Sequence, residues 1–444
     1  MFGFLKKKKR GQEQWKEQTI TYAKAINEFV EVGLRDGWDN VGEEPNSEGR
    51  EKFVLELLEA IRSANKSNTL DVLREEWPLA HAPLIDKLEE SGQSISTLAI
   101  LDDGRIIARI GTEYQEGYVL EIDGLTTKKV DGVDLFGRSP CRRFFAYTTS
   151  SGVKITDGWL GQQVAQCSYP NGAEDIPDGF DVKPFENPPT PSQLIPFPDG
   201  KRVLFVSSEG IFVLEETRAV RLLPTINDLK EQFEWSLKDY PDDELTIGLS
   251  MEHGAVSPDG KFIAVGSQDS THIVFNDKYK KIADIGNMSE YPHYALFDRN
   301  SSYLVLNSCH FYNGATIGVS TAILDGLNTE AYEKDSRTPI IEGGARVYAG
   351  AHREDEFIIG DASGYIRAFD SEGNQRWQHF IGSSVGDIDV SPDGSLMVCS
   401  TYAGFISIFK MDQGQSAPYE IGNGGHTEYR RWLVWKNEDS PLAW

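Results

Sequence analysis

The sequence predicts a mainly β protein, a seven-bladed β-propeller that follows an N-terminal α-helical segment. From about Ser96 onward, short apolar runs alternate with turn residues at a period of two, as in β-strands. A unit of similar pattern recurs about every 35 to 50 residues, which is typical of the four-stranded blades of a propeller. Before that point, apolar residues recur every three to four positions, which predicts helices.

The chain is long and strongly acidic. Its 444 residues are 39% hydrophobic, enough for a sizeable core, and its 69 Asp and Glu against 44 Lys and Arg give a net charge of −25. Nucleic-acid binding is not expected, because phosphate contacts need clustered basic side chains. An acidic surface favours capture of a basic protein partner instead, and the alternative is that the charge serves only solubility. No apolar run approaches the length of about 18 residues that a membrane span needs.

The cysteines indicate a reducing compartment. Cys141, Cys167, Cys309 and Cys399 are dispersed along the chain, and no two of them have CxxC spacing. Three of them lie in or beside apolar strand-like runs, as buried thiols do. The simplest interpretation is a cytoplasmic protein without disulfides.

Residues 1–11 are predicted to be a basic tail, in which Lys6–Lys9 and Arg10 follow a short apolar start. A secretory signal has its charges before its apolar stretch, so the order here is the reverse of that signal. We interpret the segment as a solvated tail. The alternative is a weak signal that targets the protein to a membrane or to the nucleus.

Residues 12–93 are predicted to form a helical segment. Gly33 and Gly37 end the first helix, Ser47 and Thr69 can cap the second and third, and a short fourth helix can begin at Pro83. No such helix can bury its apolar face alone, so the helices must pack on one another or on the strands that follow. The apolar faces comprise Trp15, Thr19, Tyr22, Ile26, Phe29 and Val30, then Phe53, Leu57, Leu58 and Ile61, then Leu70, Leu73 and Trp77, and finally Leu84, Ile85 and Leu88.

Several units of the β region contain the same turn. Ser257-Pro-Asp-Gly260 and Ser391-Pro-Asp-Gly394 each lead into an apolar strand, and Pro198-Asp-Gly200 does so without the Ser. Proline presets the first corner of such a turn, Asp bonds its own backbone, and Gly accepts a positive φ. We expect this turn to join the inner strand of each blade to the next strand.

The repeated unit resembles the WD40-like repeat family, in a degenerate, bacterial-type form. It consists of this turn, the apolar strand after it, a Gly-containing second turn and a strand ending in an aromatic residue. The resemblance covers residues 96–422 and implies a propeller. The Trp-Asp pair that ends a WD40 repeat occurs here only as Phe369-Asp370 and, loosely, as Phe275-Asn276. The hydrogen-bonded side-chain tetrad of that family is therefore not carried over to this sequence.

Seven units can be counted, separated in two places by insertions at 169–192 and 224–250. The second insertion has a predicted helix with Leu229, Phe233 and Trp235 as its apolar residues. Insertions in propellers lie on a rim or a face, where partners bind. The units are about 96–130, 131–168, 193–223, 251–286, 289–341, 344–382 and 383–422.

Residues 423–444 are predicted to be a closing strand and tail. The stretch Glu428–Trp435 alternates as a strand does. A propeller commonly closes its ring by pairing a terminal strand into its first or last blade, and we assign that role to this stretch. A tail packed elsewhere is the alternative.

The sequence indicates neither catalysis nor a metal or cofactor site. Gly382-Ser-Ser-Val-Gly386 fits the nucleophile-elbow pattern around Ser384, but it precedes a strand, whereas that motif needs a strand-to-helix turn. None of the eight histidines has a paired metal-ligand spacing. A metal site built from residues of different blades, far apart in the sequence, is the alternative. No phosphate-binding loop is recognisable either. We therefore predict a non-enzymatic protein without a cofactor.

One group of residues is predicted to bind the partner. Aligning the units on the Pro-Asp-Gly turn places the residues just before each inner strand around one mouth of the central channel. Propellers that resemble WD40 proteins often bind partners there, and Tyr and Arg are typical interface anchors. The predicted partner-binding residues are Thr97, Asp134, Gln193, His253, His293, Tyr294, Arg346, Tyr348 and Asp387. The alternative is that these side chains merely solvate loop ends.

The predicted function is protein binding, as a scaffold or adaptor. A more specific hypothesis is an immunity protein that neutralises a cognate toxin, because the negative charge would suit a basic one. The rival is an enzyme or small-ligand sensor that uses the central channel, since a fold does not decide a function. A pocket shared by His, Asp and Arg would favour the rival, whereas a broad face of Tyr, Trp and Arg without a deep pocket would favour the binder.

Overall fold

The structure, a computed structural model, describes residues 2–46, 49–112, 115–414 and 416–444. Within these ranges it contains five α-helices, four of which precede the strands. The helices are α1 Phe2–Asp36, α2 Val54–Ser67, α3 Leu70–Glu76, α4 Ile85–Ser91 and, within the β region, α5 Ile226–Asp239.

The strands form seven sheets arranged as the blades of a propeller. Each blade is a meander of four antiparallel strands, and the first strands of successive blades contact one another around the ring. The predicted fold class, a mainly β seven-bladed propeller with an N-terminal helical segment, is therefore confirmed, and the ring agrees with the WD40-like architecture. Blade 1 comprises β1 Thr97–Ile100, β2 Ile106–Ile110, β3 Tyr118–Asp123 and β4 Thr126–Val130, and blade 2 comprises β5 Phe136–Arg138, β6 Phe144–Thr149, β7 Gly152–Asp157 and β8 Gln162–Cys167. Blade 3 comprises β9 Pro191–Pro196, β10 Val203–Ser207, β11 Gly210–Leu214 and β12 Ala219–Leu223, and blade 4 comprises β13 His253–Val256, β14 Phe262–Gly266, β15 His272–Asn276 and β16 Lys281–Ile285.

Blades 5 and 7 depart from a simple meander. In blade 5 the chain leaves the blade after its third strand. A short strand, β20 (Leu327–Thr329), pairs in parallel with β16 of blade 4 before β21 (Ile340–Gly343) completes blade 5. In blade 7 the fourth strand, β29 (Thr427–Leu433), comes from the C-terminal tail and pairs with β28 (Phe405–Lys410), and β30 (Leu442–Ala443) adds a short fifth strand. The chain segment of blade 5 contains β17 Tyr291–Phe297, β18 Tyr303–His310, β19 Asn313–Ser320, β20 Leu327–Thr329 and β21 Ile340–Gly343. Blade 6 comprises β22 Val347–Arg353, β23 Glu356–Asp361, β24 Tyr365–Phe369 and β25 Gln375–Phe380. Blade 7 comprises β26 Val385–Val390, β27 Leu396–Thr401, β28 Phe405–Lys410, β29 Thr427–Leu433 and β30 Leu442–Ala443.

The meander gives the ring two distinct ends. We call the end where the first, innermost strands begin the upper face, and the end where they finish the lower face. Because each blade is a meander, the turns after its first and third strands lie on the lower face. The turn after its second strand and the connection to the next blade lie on the upper face.

The repeated turn lies on the lower face and has the predicted chemistry. In blade 4, Asp259 Oδ1 accepts hydrogen bonds from Ser257 Oγ at 2.8 Å and from the Lys261 amide at 3.1 Å, and Gly260 has a φ of 72°. A side chain rarely adopts this φ, which explains the glycine. In blade 2 the same turn is Ser139-Pro-Cys-Arg142, and Arg142 takes the glycine position with a φ of 66°.

Blade 7 joins blade 1 largely through side chains. Asp387 Oδ2 accepts a hydrogen bond from the Leu98 amide at 2.7 Å, and Asp389 Oδ2 accepts one from the Ile100 amide at 2.7 Å. Close by, Ser400 Oγ donates to the Ile95 carbonyl at 2.7 Å. Two carboxylates on the inner strand of the last blade thus bind backbone amides on the inner strand of the first.

The helical segment packs against blades 7 and 1 in one hydrophobic cluster. Trp15 Nε1 donates to the Pro78 carbonyl and Trp444 Nε1 donates to the Trp77 carbonyl, each at 2.8 Å. Trp15, Trp77 and Trp444 are almost fully buried, so the C-terminal tail packs between the helices and the propeller.

The beginnings of the helices differ in part from expectation. Helix α1 begins at Phe2 and therefore runs through most of the segment expected to be a separate basic tail. Thr69 precedes α3, but its side chain forms no capping hydrogen bond and instead contacts Ser67 Oγ at 2.8 Å. The other predicted cap, Ser47, lies outside the described residues.

The two insertions pack together and form what we call the insertion lobe, residues 169–190 and 224–250. Helix α5 begins with a capping box in which Thr225 and Asp228 bind each other's amides. The Phe180 and Phe233 rings lie 5.4 Å apart between the two insertions. Trp235, expected on the buried face of this helix, is 56% exposed. Both insertions link an outer strand to the next inner strand, which places the lobe on the upper face.

Candidate functional site

A cavity of about 650 Å³ occupies the central channel, and inner strands of the blades line it. Eight of the nine predicted partner-binding residues line this cavity: Thr97, Gln193, His253, His293, Tyr294, Arg346, Tyr348 and Asp387.

Asp134, the ninth, does not belong to this group. It is exposed in the connection before β5, and its carbonyl accepts a hydrogen bond from Arg109 Nε at 2.9 Å. Asp387 lies four residues before the first residue of its turn, Ser391, whereas Asp134 lies five before Ser139. The alignment of blade 2 on its turn was therefore wrong by one residue. Because strand side chains alternate in direction, such an error selects a side chain on the opposite face of the strand.

Arg346 and His293 form the centre of the upper mouth. His293 Nδ1 lies 2.7 Å from the Val347 carbonyl, and its Nε2 lies 3.1 Å from Arg346 Nη2. Nδ1 therefore carries the proton, and Nε2 accepts from the guanidinium. Burial, together with the Arg346 charge, lowers the pKa of His293 to about 3, so this ring stays neutral at physiological pH.

Two tyrosines extend this cluster. The Arg346 guanidinium lies 4.9 Å from the centroid of the Tyr348 ring, and the Tyr348 and Tyr402 rings are 5.5 Å apart at a steep angle. A guanidinium over an aromatic face is attracted to its π-electrons. We call His293, Arg346, Tyr348 and Tyr402 the mouth cluster.

Arg346 also holds a hairpin tip that the sequence did not single out. Strands β18 and β19 are joined by Phe311 and Tyr312, whose side chains are 69% and 70% exposed. Arg346 donates from Nη1 to the Phe311 carbonyl at 3.1 Å and from its amide to the Tyr312 carbonyl at 3.1 Å. Two adjacent aromatic side chains are therefore presented to solvent beside the channel mouth.

Other residues of the cavity wall join neighbouring blades. Gln193 Oε1 accepts a hydrogen bond from the Gly254 amide at 3.0 Å, and Tyr294 Oη donates to the Gly350 carbonyl at 3.2 Å. Asp387 binds the Leu98 amide in the same manner, and burial raises its pKa to about 7. These three side chains therefore have a structural role in the ring.

Two residues of types that serve in catalysis are engaged or buried here. Ser384, the centre of the nucleophile-elbow pattern, donates its hydroxyl to the Ala362 carbonyl at 2.6 Å. His253 is buried, and burial lowers its pKa to about 4. Among the described residues, no group of three or more His, Cys, Asp or Glu side chains is placed to hold a metal ion. In the same part of the chain, no helix is both long and apolar enough to cross a membrane.

The fold and the cavity define a seven-bladed β-propeller whose upper mouth combines arginine, histidine and exposed aromatic side chains. No protein-family model matches the chain, and no curated protein matches it. Similar solved structures include Sqt1 from Chaetomium thermophilum, with 13% identity over 80% of this chain and 96% of that one at a TM-score of 0.45.

Two further structures are similar at the same level. Chaetomium thermophilum Sqt1 bound to the N-terminus of the ribosomal protein L10 shares 14% identity over 79% of this chain and 96% of its own, at a TM-score of 0.45. The computationally designed Ika8 protein shares 12% identity over 80% and 96%, at a TM-score of 0.43.

Proposed function

We propose that this protein is a non-enzymatic scaffold or adaptor that binds another protein through its upper face. The observation that carries this proposal is the exposed pair Phe311 and Tyr312, held at the channel mouth by Arg346. Exposed aromatic side chains cost little conformational entropy on binding, and aromatic and arginine residues dominate the energetics of interfaces. The mouth cluster and the insertion lobe extend this surface.

The charge of the lobe supports a basic partner. Residues 169–190 and 224–250 contain twelve Asp or Glu residues and three Lys residues. Lys183 pairs with Glu244 and Lys230 pairs with Glu234, which leaves a strong excess of negative charge. Such a surface steers a positively charged protein toward the upper face and raises its association rate.

An immunity protein that neutralises a basic toxin is the specific form of this proposal, in a degenerate, bacterial-type WD40-like propeller. Of the eight predicted residues that line the cavity, Gln193, Tyr294 and Asp387 join blades. The proposed partner residues are therefore the other five, Thr97, His253, His293, Arg346 and Tyr348, together with Phe311 and Tyr312. We place the protein in the cytoplasm. Its cysteines are all free, three of them are buried, and burial raises the pKa of the Cys167 thiol to about 12.

Small-ligand sensing in the channel is a second candidate function, favoured by the cavity itself. A volume of about 650 Å³ lies within the range of ligand-binding pockets, and His253, His293, Arg346 and Asp387 share it. These groups are engaged with backbone atoms or with one another. They are therefore better suited to orienting a ligand than to proton transfer.

Affinity capture from the native cells, with variants that keep the fold, tests the proposed function. We expect the wild-type protein to retain one stoichiometric protein, and the double variant Phe311→Ser/Tyr312→Ser to lose it by at least about tenfold, since two exposed interface aromatics are removed. The control is Leu125→Ser/Leu160→Ser, which removes two exposed apolar side chains on turns of the lower face. Equal capture by both double variants would contradict the proposal.

A further inference from the structure

Three arginines converge at the lower end of the channel, and we call Arg138, Arg142 and Arg299 the lower arginine cluster. Arg138 Nη2 and Arg142 Nη1 donate to the same oxygen, Asp389 Oδ1, at 2.7 and 2.8 Å. Arg142 Nη1 and Arg299 Nη2 donate to the same Val390 carbonyl, at 2.9 and 3.4 Å. All three line the central cavity, so three guanidiniums face one small region from blades 2 and 5.

Arg142 occupies a turn position that glycine holds in four other blades and Ser301 holds in blade 5. Arg142 has a φ of 66° at the turn position where Gly260 and Gly394 have a φ of 72°. The turns are otherwise alike, because Ser139 Oγ and Ser257 Oγ accept equivalent amides at 2.9 and 3.0 Å. A left-handed backbone at a long side chain is strained, and such strain persists at sites where the side chain is needed.

Positive charge exceeds negative charge at this site. Asp389 is the carboxylate that the cluster binds, and the other acceptors are the carbonyls of Ile100, Val390, Ser391 and Pro392. Arg142 Nε is buried without a hydrogen-bond partner. Burial lowers the pKa of Arg142 and of Arg299. Clustered guanidiniums that lack counter-charges are costly, and a bound anion would relieve that cost.

The acidic residues of the other lower turns are engaged within those turns. Asp103 pairs with Arg105, Asp199 pairs with Arg202, and Asp259 pairs with Lys261. In the turns of blades 5 and 7, which the cluster contacts, Asp298 accepts a hydrogen bond from Ser302 Oγ, and Asp393 accepts hydrogen bonds from Ser391 Oγ and Ser395 Oγ. The lower arginine cluster thus stands out as a local positive site in a protein with a net charge of −25.

We infer that the lower end of the channel binds a phosphate-type oxyanion. The planar fork of a guanidinium matches the oxygens of a phosphate and can bind two of them at once. The cavity beside the cluster has room for the phosphate together with a small organic group. Free phosphate and the phosphate of a small metabolite offer the same chemistry. This site is separate from the protein-binding surface proposed for the upper face.

Calorimetric titration with inorganic phosphate, at constant ionic strength against chloride, tests the inference. We expect saturable binding of one phosphate per chain to the wild-type protein. The variant Arg142→Gly should weaken it by about tenfold or more, because one charge-assisted donor group is lost. Glycine holds this turn position in blades 1, 3, 4 and 7, so this variant keeps the favoured turn. Arg299→Gln is a second variant with the same expected direction.

The matched control is Arg143→Ala, which removes the neighbouring exposed arginine that pairs with Asp157 outside the cluster. It should bind phosphate as the wild-type protein does. Tighter binding of ribose 5-phosphate than of phosphate would indicate a metabolite as the source, and weaker binding would indicate the free ion. The inference would be overturned by the absence of saturable binding to the wild-type protein, or by equal losses in Arg142→Gly and Arg143→Ala.

Discussion

Replacing Asp389 with alanine is expected to lower the free energy of unfolding by about 3–5 kcal/mol. The carboxylate is buried and accepts hydrogen bonds from the Ile100 amide, Arg138 and Arg142. Burial alone would raise its pKa, but the two arginines outweigh burial and lower it. Without Asp389, the guanidiniums of Arg138 and Arg142 lose their carboxylate, and the amides of Ile100 and Val390 lose an acceptor, at the junction between the last and first blades.

Chemical denaturation, followed by tryptophan fluorescence and circular dichroism, measures this effect. Asp103→Ala is the control, because Asp103 lies in an exposed turn and pairs only within that turn through Arg105. The free energy of unfolding of the control variant should stay close to that of the wild-type protein. A loss of less than about 1 kcal/mol in Asp389→Ala would show that the ring does not depend on this carboxylate.

Replacing Asp387 with asparagine is expected to change how stability depends on pH. The pKa of Asp387 is about 7 in the folded protein, and an exposed Asp in the unfolded chain has a pKa of about 4. Between these values the folded state keeps a proton that the unfolded state has lost. The contribution of Asp387 to stability therefore falls as pH rises from about 4 to about 7, and stays low above that.

Asparagine does not titrate, so the free energy of unfolding of the variant should rise relative to that of the wild-type protein as pH rises. Between pH 5 and pH 8 the difference in unfolding free energy should shift in favour of Asp387→Asn by about 2–3 kcal/mol, because about two pH units of the titration lie in this range, at about 1.4 kcal/mol per pKa unit. The control is Asp393→Asn: hydrogen bonds from Ser391 and Ser395 hold the pKa of Asp393 at about 2, so its difference should not change over this range. A constant difference for Asp387→Asn would refute the raised pKa.

The blades were predictable where local chemistry and periodicity agree. The Pro-Asp-Gly turns before β10, β14 and β27 follow from Gly200, Gly260 and Gly394, whose φ values lie between 67° and 72°. The detour through β20 was not predictable, because a strand of three residues that pairs in parallel has too few residues to show a period. Trp235 fits the periodicity of α5 but is exposed, because only tertiary contacts decide which face is covered.

The candidate site was predictable only in part. Counting back from a common turn places Gln193, His253, Tyr294 and Asp387 in one cavity, because every blade repeats the same geometry. Phe311 and Tyr312 were missed because two aromatic residues between strands look like a continuation of the strand. The lower arginine cluster was missed because Ser139-Pro-Cys-Arg142 lacks the Asp-Gly signal that identified the other turns.

Hydrogen–deuterium exchange of the protein, alone and in complex with its captured partner, tests the central claim most directly. Binding through the upper face predicts slower exchange of amides at the β18–β19 hairpin tip, around Arg346 and Tyr348, and in the insertion lobe. The turns of the lower face and helices α1 to α4 should exchange as they do in the free protein. Protection confined to those helices or lower turns, with an unchanged hairpin tip, would contradict it.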